Sequence, residues 1–206
     1  MAASNGFATL QGFSTTFIGV VALAVCAIAV GTEYSNGTLR NLLVRQPARL
    51  RLLAGKLLAL GSLVAIGALL ACGAALATAL LLLPAHSISA SAWFTSTGVR
   101  SLLATAGNLV LATLGWGALG AALALVLRST AAAIAIGLAY VLVAENLLAA
   151  VWSGGDQWLP GQLLFALAKG GTTSVAYGRA LVLVGLYVVV AVGAASALFR
   201  RRDVMA

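Results

Sequence analysis

The chain has 206 residues, of which 62% are hydrophobic and only 8% charged, and its formal net charge is +8. A soluble domain carries charge on about a quarter of its residues, so this composition excludes one and describes a membrane protein. The positive excess does not describe a nucleic-acid binder, because the basic residues flank apolar runs instead of forming one exposed basic face.

Residues 1–12 are short and polar, without Lys or Arg, and they precede an apolar run at 13–31. About 20 residues at 1.5 Å rise cover a hydrocarbon core near 30 Å thick, so this run is long enough to span. Ala27-Ile28-Ala29 near its end has the small residues of a cleavage site. A signal peptide carries its positive charge before the apolar core, however, and here the charge follows it. The run is therefore expected to be a retained span that enters from outside.

Next comes a polar and basic island, EYSNGTLRNLLVRQPARLRLLAGK, from Glu33 to Lys56. It holds Arg40, Arg45, Arg49, Arg51 and Lys56, a clustering that marks the cytoplasmic side of a membrane protein. Asn36 and Gly37 are turn residues. Leu39, Leu42 and Leu43 give a short helix one apolar face, leaving Arg40, Asn41 and Arg45 on the rest. Pro47 should stop that helix near Gln46 and open a second one, whose Leu50, Leu53 and Leu57 lead into the next apolar run. On composition alone, a solvated loop with incidental leucines accounts for the same residues.

The second apolar run, 57–83, ends at Pro84, and a serine-rich outer loop at 84–100 follows, with the interfacial pair Trp93-Phe94. His86 is the one histidine and has no Cys, Asp or Glu neighbour, so it builds neither a metal site nor a catalytic one. Cys26 and Cys72 both fall inside apolar runs and act as small hydrophobes.

The third run, 101–127, contains Asn108, Trp116 and the close glycines Gly115, Gly117 and Gly120, a face suited to packing against another span or another subunit. Arg128-Ser129 is a minimal inner turn, which implies an antiparallel hairpin with the fourth run at 131–152. Glu145 is the acidic residue lying well inside an apolar run. It stands about 25 Å along a helix from Arg128, toward the outer leaflet. Intramembrane carboxylates are costly and usually face a bundle interior or a wet cavity. Two roles are open for it: a polar group on a substrate path, which Asn108 would share, or a hydrogen-bonding partner to Asn146 or the outer loop.

Residues 153–179 form another non-spanning stretch. Gly154-Gly155-Asp156 and Trp158-Leu159-Pro160-Gly161 are breaks, and the apolar segment 162–168 is too short to cross, as an outer re-entrant or interfacial helix would be. The last run, 181–199, ends in Arg200-Arg201-Arg202-Asp203. Inner segments then carry nine Lys and Arg against three outside, which predicts an outside amino end and an inside carboxyl end. The fold expected is an all-α polytopic transmembrane bundle of five spans in one domain.

Glu33, Gly37-Thr38, Leu42-Leu43, Pro47, Arg49 and Lys56, in this order and spacing, resemble the first cytoplasmic loop of ABC-2 type transporter permeases. The closing Phe199-Arg200-Arg201-Arg202-Asp203-Val204 tail and the overall layout are similar too. The resemblance implies a transmembrane subunit of an ABC transporter in a bacterial plasma membrane, working as a homodimer or paired permease with a separate ATP-binding subunit. It implies that Glu33, Gly37, Thr38, Leu39, Arg40, Leu42, Leu43, Arg45 and Arg49 form the docking element that receives nucleotide-driven motion.

Members of that family usually have six spans and an inside amino end. Against that pattern, residues 1–12 look like the end of an outer loop following a span that is missing. No phosphate-binding G-x-x-x-x-G-K-[ST] motif occurs, so energy must come from the partner. No catalytic group, metal or cofactor is implied. The few polar groups available to a path suit export of a hydrophobic or amphipathic substrate. Two rival readings are a non-transport accessory or immunity protein acting through its glycine faces, and a secondary transporter coupled through Glu145.

Overall fold

The computed structural model describes residues 2–37, 49–82 and 94–201. Its helices are α1 (Ala2–Ser35), α2 (Arg49–Leu82), α3 (Ser96–Leu127), α4 (Thr130–Ala139), α5 (Glu145–Val151), α6 (Pro160–Ala168) and α7 (Tyr177–Arg201). A π-helical turn, Tyr140–Ala144, joins α4 to α5, and a 3-10 turn, Gly155–Gln157, precedes α6. Among the described residues there is no strand, and five helical stretches are long and apolar enough to cross a membrane: Thr15–Ser35, Leu50–Leu82, Ser96–Leu127, Thr130–Val151 and Tyr177–Arg200. The protein is a multi-pass, all-α membrane bundle.

Helices α1, α2, α3 and α7 begin ahead of the apolar segments that announce them. Residues 2–12, expected as the end of a loop, continue α1 as helix. Extending an existing helix adds one hydrogen bond per residue without a new nucleation cost, and no proline interrupts this stretch. At the start of α3 the Thr95 hydroxyl accepts from the Gly98 N–H at 3.1 Å, so helix begins at Ser96 and takes in residues first assigned to the outer loop. The fourth span is broken by the π-helical turn, which apolar length does not reveal. Between α3 and α4, Arg128 adopts a left-handed conformation (φ 53°) and Ser129 caps α4 through Ala132, which makes the two-residue turn.

Helix α3 is the central post: it is the most buried of the five spans, and α1, α2, α4, α6 and α7 all pack on it. Its closest neighbour is α1, and the contact is built from small residues one turn apart. Thr15, Gly19, Leu23, Ala27 and Gly31 are buried along one face of α1, opposite Ala112, Trp116, Gly120 and Ala124 of α3. Gly19 lies against the Trp116 ring, and Gly120 lies against the Leu23 carbonyl, so the two helices run parallel and touch at the backbone. Between helices in a lipid, where no hydrophobic drive operates, such close van der Waals approach is what holds spans together.

Helices α2 and α7 are mostly exposed, with Leu58, Leu70 and Leu81 on the former and Val182 and Val189 on the latter facing outward. In water this would be an aggregation hazard; in hydrocarbon it is the lipid-facing wall. Hydroxyls in the spans bond back one turn, as Thr113 does to the Leu109 carbonyl at 2.6 Å and Ser62 to Leu58 at 2.9 Å, which satisfies them without water.

Candidate functional site

The basic island begins where α1 ends. Gly37 takes a left-handed conformation (φ 65°), and its N–H reaches the Tyr34 carbonyl at 3.3 Å, closing the helix as a glycine just past a helix end does. Arg49 is the first residue of α2. Thr38, Leu39, Arg40, Leu42, Leu43 and Arg45, expected to form the docking helix, lie outside the described residues, as does Pro47.

The two flanks of the island are tied together. Lys56 of α2 pairs with Glu33 of α1 at 2.5 Å and donates to the Ala29 carbonyl at 2.7 Å. Both side chains are largely buried (18% and 26% exposed), so this pair is less screened than a surface pair. Next to it the Arg128 guanidinium lies 6.0 Å from the Tyr34 ring centroid, and Gly31 abuts Thr130. Phe199, at the end of α7, is buried and lines the same pocket as Glu33, Tyr34 and Lys56. Both ends of the island, the α3–α4 turn and the carboxyl-terminal end of α7 thus meet at one end of the bundle.

At the opposite end the two polar residues assigned to a path are spent on the 153–179 segment. Glu145 is 1% exposed, and its Oε1 accepts from the Gln162 N–H at 2.7 Å. Helix α6 needs this acceptor: Pro160 occupies its first turn, and Leu159 at its N-cap supplies no side-chain bond. A carboxylate from another span therefore caps it, where the helix dipole favours negative charge. The other carboxylate oxygen stands so close over Gly161 that a Cβ there would overlap it. Asn146 donates to the Val141 and Leu142 carbonyls at 3.0 and 3.1 Å, both within the π-helical turn.

Asn108 accepts from the Tyr177 hydroxyl at 2.9 Å and so fixes the start of α7. It does not line the small cavity, about 170 Å³, in which Glu145 sits with Thr15, Thr16 and Gln162. The two candidates are not brought together. Their bonds favour the role of outer-segment partner over a shared path.

Sequence reasoning did not single out the remaining clamps on that segment. Tyr187 donates to the Trp158 carbonyl at 2.8 Å, Arg179 donates to Gln157 at 3.1 Å and stacks 5.0 Å from the Trp158 ring centroid, and Lys169 lies 4.1 Å from the Phe165 ring centroid. Helix α6 itself is buried through Leu163, Leu164, Ala166, Leu167 and Ala168, and Leu164 presses on Gly115 of α3. Gly115 lies about 28 Å from the start of α3, near the helix middle. So α6 packs into the bundle beside α3 and does not lie on its surface.

Residues 2–205 match the family described as "Protein of unknown function (DUF2705)". No curated protein and no solved structure matches the chain.

Proposed function

We propose that this chain, which belongs to the DUF2705 family, is the membrane-spanning subunit of an ABC transporter, exporting a hydrophobic or amphipathic substrate with energy from a separate ATPase. The observation that carries the reading is the Glu33–Lys56 tie, which holds both flanks of the basic island at the end of the bundle where Arg128 and Arg200 also lie. Positive charge concentrated at one end favours the cytoplasm for that end, and with it an outside amino terminus. A handle fixed to two spans at once can pass a push from a soluble motor into the bundle. The subunit acts as a homodimer in the plasma membrane, with Thr38 to Arg45 as the surface the ATPase grips.

The rival reading, an accessory or immunity protein acting through glycine faces, would have to use α2 and α7, where Gly67, Gly73, Gly185 and Gly193 have open space around them, because the α3 face is taken within the chain. Gly115 and Gly120 are covered by α6 and α1 of the same chain, and Gly117 packs against Cys26 and Val64.

Co-purification from the native membrane tests the proposal. Wild-type chain should bring down an ATP-binding subunit, and Leu42→Asp with Leu43→Asp should lose it while insertion persists. Each leucine removed from an apolar groove costs about 1.5–3 kcal/mol, so the pair should weaken binding by two orders of magnitude or more. Unchanged binding in the double variant contradicts the docking assignment.

A further inference from the structure

Two cavities lie along one seam between α2, α3 and α7. The larger, about 660 Å³, is apolar and floored by small residues, among them Gly61 of α2, Gly115 and Ala118 of α3 and Gly185 of α7. The smaller, about 380 Å³, is lined by Arg51 and Lys56 of α2, Leu125 of α3 and Phe199 of α7, with Glu33 and Tyr34 from α1. The helix register sets them end to end. Leu57 of the first cavity follows Lys56 of the second, Ala121 and Leu125 are one turn apart on α3, and Val192 and Phe199 are two turns apart on α7. The seam is thus an amphipathic cleft, basic at the end that carries the island and apolar above it.

We propose that this cleft binds one anionic phospholipid, with an acyl chain in the apolar part and the phosphate at Arg51. The dimensions fit a single leaflet: Leu57 to Ala65 is about 12 Å of helix, against about 15 Å of hydrocarbon per leaflet. The cleft opens between the two lipid-facing helices, so what meets it in a bilayer is a lipid tail, as apolar as a leucine side chain.

The charge at the polar end selects the headgroup. Glu33 is neutralised by Lys56, which leaves the exposed Arg51 as the uncompensated charge among the described residues of the lining, and a guanidinium presents a donor fork matched to phosphate. A second copy of the chain would need an acidic group to bring to Arg51, and none of the described residues is placed to supply one. Of the described acidic residues, Glu33 is paired, Glu145 is buried, and Asp156 lies at the opposite end. The inference is independent of the transport reading and is tested without an ATPase.

The full chain is reconstituted in vesicles of equal parts phosphatidylglycerol and phosphatidylcholine, extracted gently, and its retained lipids are counted by native mass spectrometry. One phosphatidylglycerol per chain is expected, in severalfold preference to phosphatidylcholine. Arg51→Gln should reduce that preference about fivefold, the effect of one cation at an anionic surface. Gly185→Phe should abolish retention by filling the cleft; a Cβ at Gly185 meets nothing within 4 Å, so the variant has room to fold. Gly61→Leu blocks the same cleft from α2 and serves as a second obstruction. Equal retention of the two lipids, retention that survives both obstructions, or a lipid-free dimer that Gly185→Phe dissociates would each overturn the proposal.

Discussion

Gly120→Ala should lower the unfolding free energy of the detergent-solubilised protein by about 3 kcal/mol, the upper part of the usual overpacking range. One carbon produces this effect because the obstacle is backbone. A Cβ at Gly120 would overlap the Leu23 carbonyl oxygen and lie 2.9 Å from the Leu23 Cα. No rotamer change can relieve that contact, so α1 and α3 must move apart along the face that also carries Gly19, Ala27 and Ala124. Gly67→Ala in α2 is the control: a Cβ there meets nothing within 4 Å, and alanine in a helix is favoured over glycine by about 1 kcal/mol. Denaturant titration of both variants should therefore move in opposite directions. Equal midpoints would mean that α1 and α3 do not touch as described.

The second large effect is expected at Glu145. Replacing it by leucine keeps the bulk and removes the acceptor, leaving the Gln162 N–H unpaired in a buried site at a cost of about 1–3 kcal/mol. The loss should be local before it is global: hydrogen exchange at the amino-terminal amides of α6 should accelerate about 10- to 100-fold, with α3 unchanged. Glu145→Gln retains a carbonyl oxygen and should restore most of the protection. If exchange in α6 is the same in the leucine variant and the wild type, the carboxylate does not hold that helix, and the path role regains ground.

Much of the architecture is legible in the sequence because it depends on one variable, apolar length. Runs at 13–31, 57–83, 101–127, 131–152 and 181–199 each become a helix that can span, and 162–168, too short to cross, becomes α6. Helix ends are less legible, because caps and extension are decided locally: Thr95 adds a turn to α3, and α1 continues back to Ala2. The π-helical turn has no signature in composition. The polar contacts are hardest to foresee, since they join distant positions. Glu145 meets Gln162 across 17 residues and Asn108 meets Tyr177 across 69, and no periodicity links them. The α1 stripe, by contrast, is written plainly as small residues at Thr15, Gly19, Ala27 and Gly31, four or eight apart. Its spacing does not say which helix it meets, and the partner is the glycine face of α3.

Everything functional depends on the basic island facing the cytoplasm, where a motor can reach it. Arg45→Cys, made in a chain with Cys26 and Cys72 replaced by alanine, should resist a membrane-impermeant thiol reagent in intact cells and react once the cells are opened. Ready modification from outside would invert the bundle and remove the transporter reading with it.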